Sequence, residues 1–230
     1  IDYDLVVDTI QWLCRLKSPL EAANYLNGSK KFNKNGNQQQ RQQQLNSKKC
    51  NDSETDSSSL AILVFLPGIK EITTVQELLV KSMSSPAARD WVLPIHSTIP
   101  PEEQRLVFVR PPKGVRKVVL ATNIAETAIT IDDVAFVVDT GRMKENRYDP
   151  LKRMSSLEDC LVARSNARQR RGRAGRVREG VAVHLFTRHR HDRVATAAQA
   201  PEVRRVPLEQ LVLRIKALQY PGTAAEVCAR

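Results

Sequence analysis

Apolar residues along this chain follow two patterns that predict different elements. Short continuous apolar runs, each closed by turn residues, predict strands that are buried on both faces. These runs cover residues 60–68, 91–97, 115–122, 134–141 and 180–186. Apolar residues at helical spacing predict helices. They cover residues 1–26 with a break at Ser18 and Pro19, residues 70–82, and residues 206–219 with Pro207 first.

Helices separate most of the predicted strands, because a further helix is expected to start at Pro100 and Pro101 and a brief helical turn follows residue 122. This alternation predicts right-handed crossovers and a mostly parallel sheet with helices on both faces, an α/β fold. Residues 142–156 are polar and rich in turn residues, which predicts a protruding hairpin. A helix is then expected to begin near Ser156 and to lead into the arginine-rich residues that follow.

Residues 28–59 interrupt this pattern with a polar segment of Asn, Gln, Lys and Ser. Too little of it is apolar to offset the entropy of ordering, which predicts a disordered insertion within the domain. It is interpreted either as an expansion without function or as a basic segment that touches RNA.

The formal net charge of +11 adds a class of partner to this picture. Hydrophobic residues make up 41% and charged residues 27% of the chain, which is typical of a globular protein, so the charge excess indicates attraction to polyanions. Nucleic acid is the first candidate. An anionic membrane surface is the alternative, but no signal peptide, long apolar run or basic amphipathic helix supports it.

Cysteine and histidine spacing predicts no metal site. The four cysteines show no CxxC pair, so the spacing suggests neither a zinc site nor a disulfide framework, and a reducing compartment, the cytoplasm or the nucleus, is expected. His184, His189 and His191 lie close together in sequence, but Arg188 and Arg190 between them would repel a cation.

The stretch QRRGRAGR, residues 169–176, is the strongest candidate for chemistry. Glycines let the backbone turn tightly, and guanidinium groups bind phosphate oxygens and stabilise the charge that develops in phosphoryl transfer. A solvated basic surface or a nuclear-import signal is the alternative interpretation.

In a parallel sheet this stretch would meet the loops after residue 120 and around residues 130–133, because ligands collect at the carboxyl ends of the strands. Thr122 and Asn123, directly after a strand, are suited either to hold a sugar-phosphate backbone or to cap a helix.

Four segments in order resemble motifs of the DEAH-box, or RNA-helicase-A-like, branch of superfamily 2 helicases. ILVFLPGIKEI and PIHSTIPPEEQRLVF resemble motif IV and the segment after it, ATNIAETAITIDDVAFVVDTG resembles motif V, and QRRGRAGR resembles motif VI. The resemblance covers nearly all of the chain outside residues 28–59. It implies a RecA-like three-layer α/β/α sandwich with a protruding β-hairpin over residues 1–219, with residues 220–230 beginning a linker to a following domain.

The resemblance also implies roles for individual residues. Gln169 would position the attacking water, Arg173 and Arg176 would contact the ATP phosphates with Arg176 as the arginine finger, and Thr130 and Asp132 would hold the ribose. Phe108 would stack on adenine, although it also fits a core position at the end of an amphipathic helix. The residues implied to contact the RNA backbone are Ser97, Thr122, Asn123 and Thr127, with Glu126 mainly fixing their loop.

Neither a GxxxxGK[ST] phosphate loop nor a DEAH tetrapeptide occurs in the sequence. In the family these motifs lie on the first RecA-like domain and hold ATP and Mg²⁺, so the resemblance implies a second RecA-like domain that is inactive as an ATPase alone. Its expected partners are RNA, the first RecA-like domain and C-terminal domains of the same parent chain, with ribonucleoprotein or translation factors as further candidates. A non-hydrolysing scaffold with the helicase fold and a DNA-directed helicase are the alternatives.

Overall fold

Five parallel strands form the centre of the described part of the chain. The computed structural model describes residues 1–28, 60–127, 129–176 and 179–229. The strands are β1 (Ala61–Phe65), β2 (Val92–Ile95), β3 (Val118–Ala121), β4 (Val134–Asp139) and β7 (Val181–His184), in the order β2-β3-β1-β4-β7. In register, Leu63 of β1 lies opposite Val119 of β3 and Val137 of β4. All five predicted strands are therefore confirmed, with shorter bounds than the apolar runs.

Helices on both faces complete three layers. They are α1 (Tyr3–Arg15), α2 (Pro19–Gly28), α3 (Ile69–Ser82), α4 (Pro86–Arg89), α5 (Pro101–Gln104), α6 (Ile124–Thr127), α7 (Arg164–Arg171), α8 (Glu209–Ala217) and α9 (Ala224–Ala229). Ile62 and Val64 of β1 pack under α1 and α3, whereas Leu63 and Phe65 face the opposite core that includes Ala125 of α6. This is the alternation that a doubly covered sheet requires, and it confirms the α/β/α sandwich.

Buried polar contacts join the first helix to the sheet. The Arg116 guanidinium donates to the carbonyl oxygens of Leu13 (2.7 Å) and Leu16 (2.7 Å), so it satisfies acceptors that the end of α1 leaves open. The same guanidinium lies 5.5 Å from the ring centroid of Phe136 in β4. A single side chain therefore fixes the helix end against the strand layer.

The hairpin is longer than predicted. Strands β5 (Arg142–Asp149) and β6 (Met154–Leu161) pair antiparallel from Arg142 opposite Leu161 to Asp149 opposite Met154. The helix expected near Ser156 is wrong, because that residue lies in β6 and the helix begins only at Arg164. Strand β6 shows no alternation of apolar and polar residues, because most of it faces solvent. Ion pairs across the hairpin, such as Arg142–Asp159 (3.0 Å), stabilise its pairing with β5.

Helix α8 starts later than predicted and is mostly exposed. It begins at Glu209 rather than at Pro207, and Ile215 is its buried apolar residue. Leu211 and Leu213 are exposed, and the boundary at residue 219 with a following domain stays a prediction. The predicted insertion lies outside the described residues except for Gly28. No described helix is both long and apolar enough to cross a membrane.

Candidate functional site

A polar groove of about 670 Å³ runs along the carboxyl edge of the sheet. Ser97 follows β2, and Thr122 and Asn123 follow β3, so the topology brings these three predicted RNA contacts to one place. Thr127, the fourth, is exposed at the end of α6 but does not line the groove. Asn123 also accepts the backbone N–H of Glu126 on its carbonyl oxygen (2.9 Å), so this turn serves as helix start and groove wall together.

The other wall of the groove comes from segments that sequence reasoning had not placed there. Lys70 of α3, Lys144 of the hairpin and Arg205 contribute positive charge, while Glu145 and Glu202 contribute negative charge. The Lys144 ammonium pairs with Glu71 of α3 (3.1 Å), which ties the base of the hairpin to the domain. Lys70 is exposed and forms no ion pair among the described residues. Only its position two residues after the Pro-Gly turn of motif IV could have indicated it.

The loop predicted to hold ribose is anchored from beneath. Thr130 and Asp132 are exposed, whereas Ile131 between them packs in the core and Asp133 is buried. The Asp133 carboxylate lies 2.9 Å from the buried Lys117 ammonium. Burial lowers the pKa of Lys117, although the hydrogen bond and charge of Asp133 oppose this. The alternation of exposed and buried residues therefore presents two polar side chains outward from a fixed backbone.

Lys117 also fixes the segment that carries Phe108. Its ammonium donates to the carbonyl oxygens of Val107 (2.6 Å) and Val109 (3.0 Å) on either side of that residue. Val107 takes the core position, and the Phe108 side chain is 53% exposed. The core interpretation of Phe108 is therefore wrong, and the ring is available to a planar ligand.

The arginines of the QRRGRAGR stretch point in different directions. Arg170, in the last turn of α7, is fully buried, and its guanidinium donates to Glu126 (2.6 Å), to Asp139 (2.8 Å) and to the carbonyl oxygen of Arg142 (3.1 Å). It also lies 4.8 Å from the centroid of the Phe65 ring. Sequence reasoning missed this residue. The signal that could have found it is a pair of acids, Asp139 at the end of β4 and Glu126 in motif V, because a buried arginine needs acidic partners.

Asp139 is held ionised by this arrangement. Burial would raise the pKa of its carboxyl, but the His184 imidazole, the Arg170 guanidinium and the Gly141 backbone N–H together lower it. Gly141 donates to Asp139 Oδ1 (2.9 Å) and adopts a φ of 73°, a conformation that favours glycine. The turn from β4 into the hairpin is therefore built around this carboxylate.

Arg173 and Arg176 face the exposed loop instead. Arg173 donates to the backbone carbonyl oxygens of Glu126 and Ile129, the latter at 3.3 Å, and burial together with the charge of Arg176 lowers its pKa. Arg176 is exposed and forms no ion pair among the described residues. Both arginines line a shallow pocket with Thr130, and no carboxylate lines it. Gln169 is exposed on α7 but is not among the lining residues.

The donors beside this pocket suit an anion better than a metal ion. The pocket is small, about 10 Å³, and otherwise apolar, but two guanidinium groups and a hydroxyl with no lining carboxylate are donors of the kind that phosphate oxygens bind. No group of three or more His, Cys, Asp or Glu in the described part of the chain could hold a metal ion.

A chain of polar contacts links this pocket to the hairpin. Glu126 accepts from Arg170 and from Asn166 (2.9 Å), and Asn166 also donates to Gln199 (3.4 Å). Gln199 in turn donates to Glu145 of the hairpin (3.2 Å), which also pairs with Arg205 (2.9 Å). Glu126 thus fixes its loop, as the sequence indicated, and it does so through residues on three separate segments.

Known proteins show close similarity to this chain. The model of the helicase conserved C-terminal domain matches residues 47–178. The chloroplastic DExH-box ATP-dependent RNA helicase DExH4 of Arabidopsis thaliana is 54% identical over 159 residues, which is 69% of this chain and 11% of that protein. The putative ATP-dependent RNA helicase DHX57 of Homo sapiens is 54% identical over 162 residues, 69% of this chain and 12% of its own length. The chain thus spans about a tenth of the length of these relatives.

Solved structures show the same similarity. The crystal structure of the Escherichia coli DEAH/RHA helicase HrpB matches with a TM-score of 0.61 and 36% identity, covering 70% of this chain and 20% of that one. A second crystal structure, of the E. coli DExH-box NTPase HrpB, matches with a TM-score of 0.59 and 35% identity, covering 69% of this chain and 19% of that one.

Proposed function

This chain belongs to the helicase conserved C-terminal domain family, in its DExH/DEAH-box branch, and we propose that it is the second RecA-like motor domain of an ATP-dependent RNA helicase. In that role it would supply one side of an ATP site and part of an RNA path. The first RecA-like domain of the parent chain would supply the other side. By this proposal the chain alone hydrolyses no ATP.

The pair Arg173 and Arg176 carries the proposal. Both guanidinium groups lie beside Thr130, and neither is paired with a carboxylate of the described residues. Arg176 is exposed, whereas Arg173 is half-buried and donates to the carbonyl oxygens of Glu126 and Ile129, so Arg176 is the more available to a triphosphate brought by another domain. Arg176 is the proposed arginine finger, as the motif VI resemblance implies, and its greater exposure supports this. Gln169, exposed on the same helix end, is proposed to orient the attacking water.

Nucleotide recognition is proposed to use the two segments that Lys117 fixes. Thr130 and Asp132 would bind the ribose, and the exposed ring of Phe108 would stack on adenine. Stacking contacts only the flat face of a base, so other nucleotides should be accepted as well. Mg²⁺, when bound with ATP, would neutralise phosphate charge, and it would be held mainly by the first domain, because no carboxylate lines the pocket here.

RNA contact is proposed along the groove. Ser97, Thr122 and Asn123 would bind the sugar-phosphate backbone, with Lys70 and Lys144 adding positive charge. The RNA contact of Thr127 rests on the resemblance alone. Because the residues of motif V form both the groove wall and the ribose loop, with Glu126 anchored to Arg170 between them, nucleotide state and grip on RNA would change together.

The test compares ATP binding with hydrolysis in the full-length helicase. Arg176→Ala should lower the hydrolysis rate by about 10³-fold or more while ATP affinity changes little, because an arginine finger acts mainly in the transition state. Arg15→Ala, an exposed arginine in the last turn of α1, is the matched control and should change neither. Equal losses of binding and hydrolysis would show that Arg176 is structural. RNA-stimulated hydrolysis by the 230-residue chain alone would refute the half-site.

A further inference from the structure

The outer face of α7 carries three arginines that the proposed motor function does not use. Arg164, Arg168 and Arg171 recur at helical spacing, so they share one side of the helix. With His184 at the end of β7 and His191 in the following turn, they line a pocket of about 150 Å³. This pocket shares no lining residue with the one beside Thr130.

The positive charge of this pocket is not neutralised within the described chain. None of the three arginines forms an ion pair there, and no carboxylate is among the residues that line the pocket. Like charges at this helical spacing repel one another. Two acids contact the histidines of the pocket from behind, Asp139 at His184 and Asp192 at His191. The pKa of Asp192 is lowered chiefly by its hydrogen bond with His191.

Both histidines face a carboxylate with the same ring nitrogen, and the His191 contact is a hydrogen bond, whereas the His184 contact is a close approach without hydrogen-bond geometry. His191 Nδ1 lies 2.7 Å from Asp192 Oδ1, and His184 Nδ1 lies 3.3 Å from Asp139 Oδ2. The Phe186 ring lies between them, with its centroid 4.9 Å from that of His184 and 6.3 Å from that of His191. Because each Nδ1 faces an acid, the Nε2 atom of each ring is left for another ligand.

We propose that Arg164, Arg168, Arg171, His184 and His191 form a second anion site that binds one phosphate group. Guanidinium forks and imidazole Nε2 atoms are the donors that phosphate oxygens accept. The pocket of about 150 Å³ opens to solvent and has room for a phosphate group among these donors. The phosphate comes either from free inorganic phosphate or from an RNA strand, and the experiment below distinguishes these sources.

Histidine NMR tests the site directly in the 230-residue chain. The chain has four histidines, so the carbon-bound imidazole protons can be assigned by single His→Gln variants. Inorganic phosphate, titrated at constant pH and ionic strength, should shift the His184 and His191 signals saturably with one common Kd. The signal of His189, which does not line the pocket, should stay in place.

Arginine variants decide whether the pocket holds the anion. Arg168→Gln and Arg171→Gln should each weaken phosphate about tenfold or more, since each removes a charge-assisted hydrogen bond. Arg15→Gln should leave the Kd unchanged, and circular dichroism would verify that all variants are folded. A linear, non-saturating shift, or a Kd that Arg168→Gln leaves unchanged, would overturn the proposal. The three arginines would then be only a solvated basic face of the helix.

Short RNA strands identify the source of the phosphate. If a 5′-phosphorylated strand shifts His184 and His191 at lower concentration than its 5′-hydroxyl twin, the site binds strand ends. If the 5′-phosphorylated and 5′-hydroxyl strands shift the signals at the same concentration, and at a lower one than inorganic phosphate, the site binds the internal RNA backbone. Shifts with inorganic phosphate alone would assign it to the free anion. Absence of all three shifts would refute the site.

Discussion

Replacement of Arg170 by methionine is the sharpest test of how this domain is held together. The side chain is fully buried and contacts two buried carboxylates, Glu126 and Asp139, at 2.6 and 2.8 Å. Removing one partner from a buried ion pair costs about 3–5 kcal/mol, because the remaining charge stays desolvated. Glu126 keeps Asn166 and Asp139 keeps the Gly141 N–H, so the expected loss for Arg170→Met stays within that range rather than doubling.

Urea denaturation of the 230-residue chain measures this loss, with linear extrapolation to water. A loss of that size is a large part of the 5–15 kcal/mol typical of a domain. Arg171→Met, an exposed neighbour in the same motif, should stay within about 0.5 kcal/mol of the unchanged protein. Adding Asp139→Asn to Arg170→Met should recover part of the loss, because the uncompensated charge is then gone.

The stability loss caused by Arg170→Met should depend on pH in a direction that the pKa of Asp139 determines. The pKa of Asp139 is lowered in the folded protein, so its carboxylate stabilises the fold above the unfolded value near 4 and loses that effect as pH falls through the lower folded value. Without Arg170 the effect of burial is opposed only by His184 and the Gly141 N–H, so the pKa of the Asp139 carboxyl should rise and its ionised form should stabilise the fold less at neutral pH. The difference between the two proteins should therefore be largest near pH 7 and shrink below about pH 4. A loss under about 1 kcal/mol, or one that is equal at pH 7 and pH 4, would refute the reasoning.

Two further predictions concern the groove and a buried thiol. Lys70→Gln should weaken single-stranded RNA binding and reduce the slope of log K against log salt by about 0.7. Lys81→Gln, at an exposed position of the same helix, is the control and should change neither. Equal slopes for the two variants would show that Lys70 does not contact RNA. Burial raises the pKa of the Cys14 thiol to about 11, against the opposing charge of Arg116, so alkylation at pH 8 should be about tenfold or more slower than in the urea-unfolded chain. Peptide mapping of the alkylated protein measures this, and equal rates would contradict the burial.

The strand layer was readable from the sequence because β1, β3 and β4 are buried on both faces and therefore appear as unbroken apolar runs. Strand β6 was not, because its stability comes from pairing with β5 and from ion pairs across the ladder, which leave no period in the sequence. An exposed polar hairpin and a polar loop look alike until the partner strand is known.

The candidate site shows the same division between local and tertiary information. Motif spacing brought Thr122, Asn123, Thr130 and Arg173 under consideration together, but only Thr122 and Asn123 lie at the carboxyl edge of the sheet. The expected meeting of all three segments at that edge is wrong, because the loop of Thr130 leads into the amino end of β4, where the Asp133 carbonyl oxygen accepts the N–H of Ala61 (2.8 Å), and Arg173 contacts this loop. The sequence did not reveal which arginine of QRRGRAGR points inward. That depends on where α7 ends at Arg171 and on the buried acids that Arg170 reaches from other segments.

The hairpin leaves β4 after only Thr140 and Gly141, and its base is fastened by Lys144 to α3 and by Glu145 to Arg205. Beyond that base the second strand faces solvent from Met154 to Asp159. Eight paired residues at about 3.4 Å each make an arm of roughly 27 Å, so a domain rotation of about 10° would sweep its tip through about 5 Å. Under the proposed motor function, a small tilt of the sheet would therefore appear as a displacement of several ångströms at the hairpin tip.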